Sequence, residues 1–121
     1  MIAITIADGE QRGKSVDCEE GLITLGRGPG NDLRIEDEYV SSRHGQVLVE
    51  KDRWLYQDLN SSNGSVIKRG KKQWLLTKEM PEMALQDGDV LILGHTALEV
   101  SIGTGEVVLA SADLDGLADT D

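Results

Sequence analysis

Cysteine and proline are scarce in this chain and long apolar runs are missing, which limits the classes of protein to which it can belong. The single cysteine, Cys18, excludes a disulfide within the chain and any zinc site built from cysteine pairs. Two prolines beside 14 glycines are typical of short strands joined by tight turns. No apolar run is long enough to span a membrane, and Met1–Ile4 lacks the basic flank of a signal peptide. A reducing, cytoplasmic setting without membrane contact is therefore expected.

Basic residues are also few, with 12 Lys and Arg against 22 Asp and Glu and a formal net charge of −10. An acidic chain is a poor binder of nucleic acid, which selects a dominant basic face. Residues 103–121 contain five of the acids and no Lys or Arg, and beyond Ser111 there is little to bury. We therefore expect one folded domain over residues 1–102 and an acidic, disordered tail over residues 103–121.

Apolar residues recur with a period of two along most of the chain, which predicts strands rather than helices. Examples are Ile2, Ile4 and Ile6, and the two halves of a hairpin around residues 50–53. Turn signals such as Asn63-Gly64 fall about every eight to twelve residues, as in all-β sandwiches and barrels. Pro81 interrupts the stretch 77–85, which we expect to be a loop, and residues 106–110 are a candidate further strand.

A glycine-rich loop, residues 26–32, follows one predicted strand and precedes another. Nucleotide-binding loops of this composition open a helix or end in Gly-Lys-Ser/Thr, and this loop does neither. Arg27 lies at its base, where a guanidinium offers a planar fork of donors to an anion.

Two further loops carry polar groups suited to an anion and its peptide. Ser41-Ser42-Arg43-His44 brings hydroxyl, backbone N–H and guanidinium donors together. Ser61-Ser62-Asn63-Gly64 adds a hydroxyl and an amide that donates and accepts at once, as reading a peptide backbone requires.

The order of these motifs resembles one family. Along the chain come Gly26-Arg27, Ser41 with His44-Gly45, Ser61-Ser62-Asn63-Gly64, Leu85-Gln86-Asp87-Gly88-Asp89 and Leu93-Gly94. Over residues 1–102 the order and spacing are similar to those of the forkhead-associated (FHA) domain family. Each motif alone is common, and the five in succession are specific.

The resemblance implies an all-β, FHA-type sandwich of about eleven strands that binds phosphothreonine peptides through loops at one end. Arg27 would contact the phosphate or the nearby peptide backbone, and Ser41 would donate to a phosphate oxygen. Arg43 and the backbone N–H of Ser42 would complete the anion site. Ser62 would support the phosphoresidue, and Asn63 would hold the peptide main chain. Three residues would serve as scaffold: Gly26, His44 and Gly64.

The expected function is therefore a non-enzymatic module, without cofactor or metal, that binds a Thr-phosphorylated protein or peptide in signalling. The alternative is a phosphate-independent scaffold or interaction domain on the same fold. A hydrolase using Ser41 or His44 is disfavoured, because no nucleophile elbow or acid partner accompanies them.

Two segments outside these loops carry weaker expectations. The basic run over residues 68–72 is predicted to be a solvated turn, with a supplementary contact to acidic groups of a partner as its alternative. Thr104 and Thr120 lie in sequence open to a kinase, so a phosphorylated tail is a candidate for self-association through the same pocket.

Overall fold

Residues 1–103 are described by a computed structural model, and every regular element in that range is a β-strand. In chain order the eleven strands are β1 (Ile2–Ile6), β2 (Ser15–Cys18), β3 (Gly21–Gly26), β4 (Leu33–Arg34), β5 (Gly45–Val49), β6 (Trp54–Asp58), β7 (Ser65–Arg69), β8 (Lys72–Leu76), β9 (Glu82–Ala84), β10 (Val90–Leu93) and β11 (Thr96–Ile102). The predicted strand at residues 106–110, the disordered tail and the two tail threonines lie outside the described residues.

The strands form two sheets. One has six strands in the order β2-β1-β11-β10-β7-β8, and the other has five in the order β4-β3-β5-β6-β9. Every pairing is antiparallel except the short parallel contact of β3 with β4. The predicted all-β sandwich of about eleven strands is confirmed, as is the hairpin of β5 and β6 around residues 50–53.

The core lies between the inward faces of the sheets. Strands β1 and β5 each alternate buried and half-buried residues, so the period of two read from the sequence marks the buried face. The buried apolar residues are Ile2, Ile4, Ile6, Ile23, Leu25, Leu33, Ile35, Val40, Val47, Val49, Tyr56, Ile67, Leu76, Leu85, Leu91, Leu93, Leu98 and Val100.

One secondary-structure prediction was wrong. Residues 77–85 are not all loop, because Glu82–Ala84 forms strand β9 at the edge of the five-stranded sheet. It pairs only with β6, and Met83 is its one side chain that packs against the core. A three-residue edge strand with one apolar contact has too short a pattern to be seen in the sequence.

Two opposite ends of the sandwich collect the loops. The apical end holds the β1–β2, β3–β4, β4–β5, β6–β7, β8–β9 and β10–β11 loops, which touch one another by hydrogen bonds such as Arg27 N–H to the Ser41 carbonyl (2.9 Å). The basal end holds the β2–β3, β5–β6, β7–β8 and β9–β10 loops. Met1 and Gly103 also lie there, hydrogen-bonded to each other.

The basic run at residues 68–72 forms the β7–β8 hairpin at the basal end. Its Arg69 side chain folds back, donating to both carboxylate oxygens of Asp89 at 2.8 Å and to the Ala84 carbonyl at 3.0 Å. This hydrogen-bonded pair raises the pKa of Arg69. Lys68, Lys71 and Lys72 are exposed, which agrees with a solvated turn. None of the described residues contributes a helix long and apolar enough to cross a bilayer.

Candidate functional site

Hydrogen bonds from several of the predicted site residues meet at one centre, residues 39–41 in the β4–β5 loop. The guanidinium of Arg27 donates through Nε to the Val40 carbonyl at 3.1 Å. The amide of Asn63 donates through Nδ2 to the Tyr39 carbonyl at 2.8 Å. These two side chains come from different loops, and the main chain between them holds both at the same place.

Ser41 completes this centre through its side chain. Its Oγ accepts a hydrogen bond from the backbone N–H of Ser62 at 3.1 Å, which joins the β4–β5 and β6–β7 loops. Because Oγ is the acceptor in that bond, the hydroxyl proton of Ser41 is free to be donated to a ligand. The structure thus brings together Arg27, Ser41, Ser62 and Asn63, four of the six residues predicted to contact a phosphopeptide.

Ser42 and Arg43 lie at the exposed tip of the same loop. The Ser42 carbonyl accepts from the Gly28 N–H at 3.1 Å, so the tip is tied to the β3–β4 loop. Neither the side chain of Arg43 nor the backbone N–H of Ser42 donates to another of the described residues. Both groups face solvent as unused donors beside the glycine-rich loop.

Gly26 permits the close approach of these loops. A Cβ at this position would overlap the Ser42 carbonyl oxygen and come within 2.9 Å of Asn31 Nδ2. The Asn31 amide uses that space to donate to the carbonyls of both Gly28 (2.9 Å) and Ser42 (2.7 Å). Gly26 is therefore needed as scaffold because any side chain would separate the β3–β4 and β4–β5 loops.

His44 is buried and has both ring nitrogens occupied by the main chain. Nδ1 accepts the Ser41 N–H at 3.0 Å, so the ring proton lies on Nε2, which donates to the Gly64 carbonyl at 2.8 Å. An acid that the sequence did not indicate does lie near the ring, with Asp58 Oδ1 3.8 Å from Nε2, but Nδ1 bonds to the Ser41 N–H and not to its Oγ. The side chain joins two loops, and the geometry for a hydrolytic Ser–His pair is absent from the described residues.

Asp58, at the end of β6, holds the β6–β7 loop by hydrogen bonds. Its buried carboxylate accepts from the Ser61 N–H (2.9 Å) and from the hydroxyls of Ser61 and Ser65 (both 2.6 Å). Ser65 Oγ in turn accepts the proton of the Tyr56 hydroxyl at 2.7 Å. Burial of that phenol raises the pKa of Tyr56, and the nearby Asp58 charge raises it further, while the Ser65 hydrogen bond acts in the opposite direction. Within the loop, Gly64 has φ of +77°, a conformation that favours glycine.

Asp37 attaches the β10–β11 turn to the β4–β5 loop. Its carboxylate accepts from the Tyr39 N–H (2.8 Å), the His95 N–H (2.7 Å) and the Thr96 hydroxyl (2.8 Å). Partial burial acts to raise its pKa, but these hydrogen bonds and the His95 charge outweigh it, so the pKa of Asp37 lies below its ordinary value. The ring of Tyr39 also stacks on that of His95, with centroids 4.2 Å apart.

An acidic cleft at the apical end is not the proposed anion site. It has a volume of about 370 Å³ and is lined by the acidic side chains Asp8, Glu10, Glu36 and Asp37. These carboxylates would repel a phosphate. The donors assembled around Ser41 do not line this cleft. Among the described residues no group of three His, Cys, Asp or Glu side chains is arranged to hold a metal.

Three supporting residues had no assigned role in the sequence: Asn31, Asp37 and Asp58. Asn31 follows Pro29-Gly30 in a turn, where an amide commonly bonds to nearby carbonyls. Asp37 lies two residues before Tyr39, the spacing of a side-chain-capped turn. Those local signals indicate turns, but the partners that matter here, Ser42 and His95, lie on other loops.

Comparison with known proteins identifies the family. The model of the FHA domain matches residues 23–94. The chain is 32% identical over 98 residues to the FHA domain-containing protein FhaA of Mycobacterium tuberculosis, covering 81% of this chain and 17% of that protein. It is 31% identical to an FHA domain-containing protein of Arabidopsis thaliana, covering 78% of this chain and 24% of that one. The chain thus spans less than a quarter of the length of these two relatives.

Solved structures give the same result. A crystal structure described as the FhaA FHA domain complexed with the intracellular domain of Rv3910 superposes with a TM-score of 0.68 at 31% identity, covering 83% of this chain and 99% of that one. A structure from an analysis of phosphothreonine-dependent FHA domain interactions gives 0.70 at 30% identity, covering 84% and 96%. The match over residues 23–94, the eleven-stranded sandwich and the loops joined at Ser41 lead to one conclusion: the chain belongs to the FHA domain family.

Proposed function

We propose that this chain is a non-enzymatic module that binds phosphothreonine in a partner protein. The contacts are assigned to Arg27, Ser41, Arg43, Ser62 and Asn63, with the backbone N–H of Ser42 as a further donor. The observation that carries the proposal is the convergence of Arg27, Ser62 and Asn63 on residues 39–41.

The donors left over after these internal bonds match a phosphate group. Arg27 uses only Nε internally, so its two terminal nitrogens are available, and Ser41 keeps its hydroxyl proton. A phosphothreonine carries nearly two negative charges and three acceptor oxygens. Guanidinium, hydroxyl and backbone N–H donors form short, charge-assisted bonds with such oxygens.

The peptide main chain is assigned to Asn63. Its Nδ2 is held by the Tyr39 carbonyl, which orients the amide and leaves its Oδ1 free to accept a peptide N–H. An oriented amide loses little side-chain entropy on binding, so it discriminates a correctly placed backbone.

The relatives support a partner of this kind. One FHA structure with 30% identity comes from work on phosphothreonine-dependent interactions, and another is a complex with a partner's intracellular domain. The free Cys18 thiol agrees with a reducing, cytoplasmic setting for such signalling. We expect affinities on the order of micromolar, because a short peptide buries little area and loses entropy when ordered.

The test is a binding titration with three copies of one peptide series, carrying phosphothreonine, phosphoserine or unmodified threonine. The proposal expects saturable binding that requires the phosphate. Arg27→Ala should weaken it by about ten-fold or more, since a hydrogen bond to a charged group contributes about 1.5–3 kcal/mol. Arg53→Ala is the matched control, because it removes the same charge from the basal β5–β6 turn, where Arg53 contacts only Glu50 (3.3 Å).

Two results would contradict the proposal. Equal affinity for phosphorylated and unmodified peptides would favour the phosphate-independent scaffold. Unchanged phosphopeptide affinity in Arg27→Ala would show that the assigned anion site is wrong.

A further inference from the structure

A cleft borders the proposed peptide site on the side of the β8–β9 loop. It has a volume of about 240 Å³ and lies between the β6–β7 loop on one wall and the end of β8 with residues 77–78 on the other. Ser62 and Asn63 line the first wall, so the cleft is continuous with the residues assigned to the phosphoresidue and its backbone.

The mouth of this cleft has an exposed apolar side chain. Leu75, on the edge strand β8, is 56% exposed, the largest value among the exposed large apolar residues of the described chain. Its Cδ1 lies 3.2 Å from where a Cβ on Gly64 would be, so it packs directly beside the β6–β7 loop. The exposed apolar surface here adjoins polar groups, as in small recognition pockets.

Charge in the cleft comes from Lys78. Its ammonium forms no ion pair with any of residues 1–103, and Glu79, next in the chain, does not line the cleft. Asp58 also lines the cleft, but its carboxylate already accepts three hydrogen bonds from Ser61 and Ser65 and its side chain is 5% exposed. Because Lys78 and Asp58 form no ion pair, the Lys78 ammonium remains available to a ligand.

We propose that this cleft binds an acidic side chain of the phosphopeptide, at one position flanking the phosphothreonine, with glutamate preferred. Leu75 packs against the methylene groups of that side chain and Lys78 pairs with its carboxylate. Glutamate is favoured over aspartate because its longer apolar stem spans from Leu75 to the ammonium. The inference rests on the proposed function, since it names part of the phosphopeptide that the same site selects.

The experiment scans Ala, Asp, Gln, Glu and Lys through each position flanking the phosphothreonine and titrates every peptide against the whole chain. At the selected position the Glu peptide should bind more tightly than the Asp peptide. Wild type should bind the Glu peptide about two- to five-fold more tightly than the Ala peptide at one position, the gain expected of a solvent-exposed ion pair. A Gln peptide should show only the part of this gain in affinity that comes from packing of the side-chain methylene groups against Leu75. Lys78→Glu should reverse the preference, so that Lys exceeds Glu there.

Two matched controls separate this contact from general effects. Lys71→Glu makes the same charge change in the basal β7–β8 turn and should leave the Glu preference intact. Leu75→Ser should reduce the gain from Gln, whereas Leu22→Ser, at a 45% exposed position on β3, should not.

The outcomes are distinguishable. Phosphate-dependent binding without a positional Glu preference, or a preference that Lys78→Glu does not reverse, overturns this inference and leaves the proposed function standing. Absence of phosphate-dependent binding overturns both.

Discussion

Replacing His44 tests whether the binding surface is held together by one buried ring. In His44→Ala, the Ser41 N–H and the Gly64 carbonyl lose their partners and a cavity is left between two loops. Two hydrogen bonds at about 1 kcal/mol each, plus about 1 kcal/mol for unpaired groups and cavity, give a loss of about 3 kcal/mol in the free energy of unfolding.

Urea denaturation measures that loss. With a slope of about 1.5 kcal/mol per molar urea, the midpoint should fall by about 2 M while the slope is unchanged. His95→Ala is the control, because His95 is exposed and its ring stacks on Tyr39 and acts on Asp37 by charge, but has no hydrogen bond to another of the described residues. That variant should lose less than about 1 kcal/mol.

Two conservative variants separate stability from binding. Asparagine at position 44 places an acceptor near the position of Nδ1 and keeps the bond from Ser41, whereas glutamine places a donor near Nε2 and keeps the bond to Gly64. We therefore expect His44→Asn to retain more phosphopeptide affinity than His44→Gln, since Ser41 is the residue proposed to donate to the phosphate. A midpoint shift for His44→Ala no larger than that for His95→Ala would refute the structural role given to this ring.

Four further predictions concern the phosphate and three other contacts. Phosphopeptide binding should weaken below about pH 6, as the phosphate gains a proton, while an Asp or Glu mimic at the same position shows no such transition; a flat profile between pH 7 and 5 would contradict the anion site. Asn31→Ala should weaken phosphopeptide binding several-fold, measured by titration, because the two hydrogen bonds of Asn31 fix the β3–β4 loop. Arg69→Met should lower the free energy of unfolding by about 1–2 kcal/mol without changing phosphopeptide affinity, because Arg69 pairs with Asp89 at the other end of the sandwich. Because the pKa of Asp37 is lowered in the folded protein, the carboxylate adds to the free energy of unfolding above its ordinary pKa of 3.8, and this contribution is lost as the pH falls below about 4. The difference in free energy of unfolding between the parent and Asp37→Asn should therefore shrink in acid. Urea titration at each pH measures it.

Local pattern was enough to predict most of the fold. The alternation of Ile2, Ile4 and Ile6 marks a strand with one buried face, and that face is the one the sandwich buries. Strand β9 was not predicted, because a single apolar residue, Met83, cannot show an alternating pattern. Only its pairing with β6 defines it as a strand. Pairing of this kind depends on long-range contacts that no short window of sequence contains.

The candidate site also combines residues that could be predicted from local sequence with residues that depend on long-range contacts. The residue types at Arg27, Ser41 and Asn63 suggested an anion and a peptide backbone, and their order suggested the family. The scaffold beneath them could not be inferred, because Asn31 and Asp37 act through partners on other loops. The cleft beside Asn63 depends on where the end of β8 docks, so the nearness of Lys78 is visible only in three dimensions.

Both ends of the described chain leave the sandwich together, since the Met1 ammonium donates to the Gly103 carbonyl at 3.1 Å and the Gly103 N–H returns a bond to the Met1 carbonyl. That exit lies at the basal end, separated from Ser41 by the full length of strands β1 and β11. A dye, a surface linker or another domain joined at Met1 would therefore start at the end of the sandwich opposite the loops around Ser41. A tether at that end would leave the proposed phosphopeptide contacts open to a large partner.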